Sequence, residues 1–308
     1  MRLSTFADGS GEALGLNALA ADAELASDIQ GQLKLAGLLD PPVDGQFGAV
    51  SQWALAAFAK RKNLGDGNTL TRALAGGLLD ASIADSFALK PDVQGDLAAK
   101  IVLAMQRRGY WICRHPGCFN IVYVEGMDPD GKANDDAPDQ FNDTRLLIEI
   151  DQNGKPHIAG AWEATTEPGR HYTESPLEPE GAARIAFSQP KAWQVGIHPG
   201  SKPHEALIQV RKITIYRDLN KDYKRTGDKT YTGLFGINQH HGYNQAKVKI
   251  GKASAGCLVG REIARHEQFM ALVKSDLRYR ASSGYTFMTA ILPVSALSEE
   301  SFDPADEH

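Results

Sequence analysis

The sequence predicts an α+β protein: a small three-helix N-terminal domain over residues 1–90, then a β-rich domain over residues 91–308 with flanking helices. Three observations predict it. The chain has 308 residues, about twice the roughly 150 residues of a typical domain. Apolar residues recur at helical spacing through the first eighty or so positions. After the polar, Pro-containing stretch around Lys90-Pro91 and one more helix, they fall instead into short β-branched or aromatic runs broken by Gly, Asp, Asn and Pro.

Taking the elements in order, Ile29, Leu33, Leu35 and Ala36 share a helical face that Gly37 and Pro41-Pro42 close. Asp44-Gly45 with Gly48 makes a tight turn in which Asp44 is positioned to cap the following helix. Trp53, Leu55, Ala56 and Phe58 continue the helical period up to Lys60-Arg61-Lys62, and Leu70 to Leu79 adds a third helix. Val93 to Arg108 carries an apolar face ended by Gly109. Strands are predicted over Asn120–Val124, Leu146–Ile150, His157–Trp162, Ile208–Tyr216, Leu234–His240 and Tyr285–Leu292, with a late helix over Glu262–Asp276 and a frayed acidic tail.

Composition excludes some partners and names none. With 33 Lys+Arg against 38 Asp+Glu the formal net charge is −5, so the basic stripe of a nucleic-acid binder is missing. No run approaches the ~20 apolar residues that span a bilayer, which argues against membrane insertion. The first residues lack the apolar core of a secretory signal, so synthesis in the cytoplasm is expected. Three cysteines cannot all pair within one chain. Cys113 and Cys118 bracket a Pro-Gly turn that suits a local disulfide, half of a metal site, or two plain thiols. Asp218, Asn220, Asp222 and Asp228 lack the Gly and Glu of a calcium loop and read as a solvated turn. Oligomeric state leaves no trace in the sequence.

Ile29-Gln30, Leu33, Gly37-Leu38, Val43-Asp44-Gly45, Phe47-Gly48, Ala54-Leu55, Phe58 and Asn63-Leu64, in that order, resemble the small three-helix peptidoglycan-binding domain appended to many cell-wall enzymes. The resemblance implies a peptidoglycan partner and action on the cell wall or in the periplasm.

The chemistry-bearing cluster is Phe235-Gly236-Ile237-Asn238-Gln239-His240-His241-Gly242 followed by Ser254-Ala255-Gly256-Cys257. Small residues beside the thiol leave room for a substrate carbonyl to meet the Gly256 and Cys257 amides. A thiol with an ordinary pKa near ~8.5 needs a base, and both histidines lie within a strand-turn-strand distance of Cys257. If Leu234–His240 is a strand, alternation puts Phe235, Ile237 and Gln239 on the core face, and Asn238 with His240 on the cleft face. That favours His240 over His241. Arg170 and Arg217 are candidates for holding substrate carboxylates.

These residues resemble the catalytic signature of the L,D-transpeptidase family, in a divergent form with Ala255 where a histidine is common. The resemblance implies a β-rich sandwich domain and no cofactor or metal. It makes Cys257 the nucleophile of a thioester acyl transfer on stem peptides, Ser254 a supporting residue, and His240 or His241 the base. Transfer to an amine gives L,D-transpeptidation; transfer to water gives hydrolysis, as in an endolysin or toxin-like peptidase. Two alternatives remain: a zinc-dependent peptidoglycan peptidase drawing on His198 and His204, and a non-catalytic wall-binding protein with a buried, inert Cys257.

Overall fold

The computed structural model describes residues 1–83, 87–92, 96–200 and 202–299. A helical unit comes first, with helices over Leu3–Asp8, Leu16–Ala21, Ala23–Leu35, Ala49–Arg61 and Arg72–Leu79. A short antiparallel pair, β1 (Leu14–Gly15) and β2 (Thr69–Leu70), ties its ends together. Its core is drawn from residues between Leu3 and Phe87, with Ile29, Leu33, Ala54, Leu55, Phe58 and Leu74 fully buried. Two segments lie beyond the predicted three helices: Leu3–Asp8, which ends at Gly9, and Leu16–Ala21, set apart because Asp22 accepts a hydrogen bond from Leu25 N at 3.0 Å and so starts the helix Ala23–Leu35 afresh.

The turn at residues 43–48 is organised by a buried side chain that the periodicity does not single out. Gln30 Oε1 accepts from Gly45 N (2.8 Å) and Asp44 N (3.2 Å), and its Nε2 donates to Asp44 Oδ1, Gln46 O and Ser51 Oγ. Asp44 therefore closes the turn, accepting from Gln46 N at 3.0 Å, rather than capping the next helix as the sequence predicts. That helix has Gly48 at its N-cap with no side-chain bond.

From residue 119 the chain is mixed α/β around a large multi-stranded sheet. Eight strands close into a barrel in the order β11-β12-β5-β4-β3-β13-β7-β8. Their ranges are β3 Phe119–Glu125, β4 Asp143–Ile150, β5 Pro156–Thr165, β7 Lys191–His198, β8 His204–Gln209, β11 Gln239–His241, β12 Leu258–Gly260 and β13 Phe287–Pro293. Closure rests on one register pair between β8 and β11, Leu207 with Gln239. Three further strands, β6 (Ala182–Ile185), β9 (Ile213–Asp218) and β10 (Lys229–Gly233), form a separate antiparallel sheet. The sandwich expected from the family resemblance is thus a closed barrel with a small second sheet.

Strand β3 shows why the barrel holds. Ile121 and Tyr123 join one core with Leu147, Leu207, Leu258 and Phe269 of the helix Ile263–Ser275. Val122 and Val124 point the other way, under the helix Leu97–Arg107 with Ile101 and Met105. Both faces are covered, which is why the strand reads as an unbroken apolar run. Val93, the predicted start of that helix, and the acidic tail beyond residue 299 lie outside the described residues.

Asp40 joins the helical unit to the barrel: its carboxylate accepts from Tyr285 Oη at 3.0 Å and pairs with Lys191 Nζ at 2.7 Å. Arg114 N donates to Gly37 O at 2.8 Å beside it. Cys113 and Cys118 are buried free thiols that form no disulfide. Among the described residues, no helix is long and apolar enough to cross a membrane.

Candidate functional site

Ser254-Ala255-Gly256-Cys257 forms the loop that feeds β12, and local bonding fixes its shape. Ser254 Oγ accepts from Gly256 N at 3.1 Å and donates to Cys257 O at 2.9 Å, while Gly169 N donates to Ser254 O at 2.9 Å. Gly256 has φ +122°, and a Cβ there would stand 2.6 Å from Ala183 O on β6. Only glycine fits that combination without strain. The amide of Gly256 is engaged by Ser254, so it is not the open oxyanion donor that the sequence suggests.

Cys257 is partly buried and lines a cavity of about 330 Å³ with Tyr172, Glu178, Arg217, Phe235 and Ala255. Its Sγ accepts from Asn238 N at 3.5 Å and donates to Gly236 O at 3.6 Å. Burial pushes the thiol up to about 11, with the Asn238 amide pulling weakly the other way. The resting group is therefore a neutral thiol.

The predicted strand Leu234–His240 exists only from Gln239 onward. Gly236 has φ +71°, and Gln209 takes the place of a neighbouring strand: its Oε1 accepts from Phe235 N and Ile237 N, both at 3.0 Å, and its Nε2 donates to Gly233 O. Asn238, Gln239 and His240 alternate in direction, but Phe235 and Ile237, which alternation assigns to the core, line the cavity at Cys257, and Asn238 and His240, which it assigns to the cleft, do not. Gln239 turns into the barrel, donating to Thr289 Oγ1 at 2.8 Å. Asn238 and His240 both turn to His198: Asn238 Nδ2 is 3.0 Å from His198 Nδ1, and the His240 ring stacks on His198 at 4.0 Å. In the parallel β11–β12 pair, His240 stands opposite Val259. Val259 and Cys257 pack into one small cluster with Phe141, Ile250 and Ala253, while neither Asn238 nor His240 is in the lining of the cavity at Cys257.

His241, of opposite parity, stacks on His204 at 3.6 Å. His240 Nδ1 lies 2.8 Å from His241 O, and burial, followed by repulsion from His198, lowers its pKa to about 3. His241 falls to about 4, burial again leading and His204 next. The sulfur's hydrogen bonds go to Asn238 and Gly236, and among the described residues no imidazole makes one with it.

The two predicted arginines part company. Arg217 lines the cavity, with Nη1 donating to Gly181 O at 3.0 Å and the guanidinium 5.6 Å from the Phe235 ring. Arg170 opens the short helix Arg170–Glu174, where its backbone N donates to Asp139 Oδ1; it is not part of the cavity lining. Tyr172, two residues on, takes a place in the wall that sequence reasoning does not assign, as does Glu178. The polar run from Ala164 to Tyr172 is the one signal that points there.

Behind the wall, Arg184 of β6 is fully buried, paired with Glu167 and, at 3.3 Å, with Asp218. Arg225 grips Glu125 through two bonds of 2.5 and 2.6 Å. Among the described residues, Glu125, Asp136 and Glu167 bring ligand oxygens within 4.8 Å of one another, a spacing that suits a hard cation. Arg184 and Arg225 already balance that charge.

No family model matches the chain, and no curated protein matches it. Two solved structures are similar at a distance. One is a fused Zn-dependent amidase/peptidase/peptidoglycan-binding domain-containing protein from Clostridium acetobutylicum ATCC 824, 14% identical over 89% of this chain and 97% of that one, TM-score 0.29. The other is the L,D-transpeptidase (residues 123–326) from Xylanimonas cellulosilytica DSM 15894, 15% identical over 87% of this chain and 92% of that one, TM-score 0.21. At these values neither likeness carries a functional argument.

Proposed function

We propose that the protein is a cell-wall enzyme that processes peptidoglycan stem peptides by cysteine-based acyl transfer. The observation that carries this reading is Cys257 in an open cavity, beside Ala255 and Gly236, with Arg217 on the same wall. A peptide carboxylate held at Arg217 would bring a neighbouring amide carbonyl towards the sulfur.

Because the thiol is neutral at rest, its proton must leave as the sulfur attacks. His240 is the proposed acceptor. Its Nδ1 contact with His241 O makes Nε2 the lone-pair nitrogen. Its ring must first turn off His198. Attack forms the S–C bond, the C–N bond breaks, and the leaving amine takes the proton from His240, leaving a thioester on Cys257. An incoming amine or water then releases the acyl group. Ser254 holds the nucleophile loop, and Asn238 holds the strand end beside the sulfur. Action on the wall or in the periplasm, with the helical unit as anchor, completes the proposal.

The test is incubation of isolated sacculi with wild-type protein and with Cys257→Ala, followed by mass spectrometry of the stem peptides. New products from the wild type alone support the reading, and the acceptor found in them separates hydrolysis from exchange. Identical products from both proteins would eliminate the thiol mechanism.

A further inference from the structure

A second cavity adjoins the thiol site and is larger. It encloses about 690 Å³ beside the small β6–β9–β10 sheet, against about 330 Å³ at Cys257, and Arg217 lines both. Strand pairing builds its wall. Lys229 and Tyr231 of β10 stand opposite Arg217 and Ile215 of β9, so the four side chains leave one face of the sheet. Ile215 is fully buried and Tyr231 packs against the same core, which sets the Tyr231 ring between core and cavity. The segment joining β9 to β10 closes the far side with Leu219 and Asp228.

Two side chains of this wall gain nothing from the fold. Leu219 is 65% exposed, an apolar group held at a concave surface. Asp228 has its Oδ2 shut off from water without a hydrogen bond. Burial, followed by repulsion from Asp218 and Asp222, pushes the carboxyl up to about 6. A carboxylate oxygen in that position is destabilising until something donates to it.

We propose that this cavity binds a pyranose unit of the wall glycan, next to the stem peptide held at Cys257. The choice of the wall glycan rests on the proposed function; the choice of a sugar rests on the lining. A pyranose ring offers flat C–H faces and a rim of hydroxyls that both donate and accept. Tyr231, Leu219 and Pro179 supply apolar surface for the faces, and Asp228, Glu180 and Lys229 supply acceptors and a donor for the rim. A sugar hydroxyl donating to Asp228 gives that carboxylate the partner it lacks.

Charge and size agree. Arg217 and Lys229 stand against Glu180 and Asp228, so the lining carries no excess of either sign and selects neither a polyanion nor a cation. The volume lies within the roughly 300–1,000 Å³ of small-molecule sites. Because Arg217 lines both cavities, a sugar in one and a peptide in the other are neighbours, as they are on a glycan strand that carries its stem peptide.

The test titrates untagged full-length protein with chitotetraose, a neutral hexosamine glycan without a stem peptide, so that thiol chemistry plays no part. The expected result is saturable binding with a Kd at or below about 1 mM by calorimetry, with the Leu219 methyl signals moving in the carbon-13 spectrum. Leu219→Ala and Asp228→Ala, each checked for an unchanged melting curve, should each weaken binding at least about fivefold. The exposed Ile197→Ala on β7 should leave it unchanged. Leu219 is exposed, so its truncation does not threaten folding and keeps the test open if Asp228→Ala fails to fold. Absence of saturable binding up to about 10 mM would overturn the proposal. So would binding that both cavity variants leave unchanged, as it would for a glycan held on the helical unit. Failure of the proposed function shows separately, as stem peptides left unaltered in sacculi by a protein that still binds chitotetraose.

Discussion

Gly256→Ala is the substitution for which the fold gives the most definite outcome. Two costs combine. The backbone has φ +122°, a region in which a side chain costs roughly 1–3 kcal/mol. The new Cβ would also stand 2.6 Å from Ala183 O and 2.9 Å from Ala183 Cβ. Relief requires β6 to move, yet β6 is stitched to β9 at four register pairs and pinned by buried Arg184 between Glu167 and Asp218. Overpacking of this kind costs roughly 1–3 kcal/mol, so the total is about 2–6 kcal/mol, a large share of a typical 5–15 kcal/mol stability. Urea unfolding followed by circular dichroism should show a lower midpoint at an unchanged slope. Gly76→Ala is the control: it sits in the helix Arg72–Leu79 with open space around its Cβ, and it should be neutral or stabilising by up to about 1 kcal/mol. A Gly256→Ala loss below about 0.5 kcal/mol would refute the account of how the loop is held.

Other outcomes follow from the same contacts. With the Cys257 thiol pushed up to about 11, its thiolate fraction at pH 8 is roughly two orders of magnitude below that of a thiol near ~8.5. Iodoacetamide labelling of Cys257 should therefore rise about tenfold per pH unit from 7 to 10 with no plateau; a plateau near pH 8 would mean an activated thiolate. Asp40→Ala strands Lys191 and unpartners Tyr285, and calorimetric unfolding should show a loss of roughly 3 kcal/mol, with Tyr285→Phe losing less. Gln30→Leu deletes the five hydrogen bonds that shape the turn at residues 43–48, so amide exchange at Asp44 and Gly45 should accelerate and stability fall by about 2–3 kcal/mol.

Much of the framework is legible in the sequence wherever a local pattern decides it. The helices Ala23–Leu35, Ala49–Arg61, Arg72–Leu79 and Ile263–Ser275 fall where apolar spacing predicts them, and β3, β4, β5 and β13 lie where β-branched runs are densest. Barrel closure has no comparable local signal. It depends on β11 and β12, three residues each, and on one register pair, Gln239 with Leu207. The predicted single strand Ile208–Tyr216 is divided between β8 and β9 because the chain turns at residues 210–212 and changes sheet.

At the site, the small residues around Cys257 single out the thiol from sequence alone, and it does line a cavity; alternation does not separate His240 from His241, since both rings pack against His204. The stacking of His240 on His198 and the displacement of Arg170 from the cavity arise from contacts between distant segments, which spacing along the chain does not encode; the engagement of the Gly256 amide by Ser254 is local, but depends on loop geometry that residue types alone do not fix.

The central claim is that Cys257 carries an acyl group during turnover, and intact-protein mass spectrometry tests it most directly. After incubation with a synthetic stem tetrapeptide and rapid acid quench, the account predicts a covalent adduct of the donor acyl mass on Cys257, released by hydroxylamine as a thioester should be and missing from Cys257→Ala. Turnover of the peptide with no adduct on the wild type under any quench time, or equal turnover by Cys257→Ala, would contradict it.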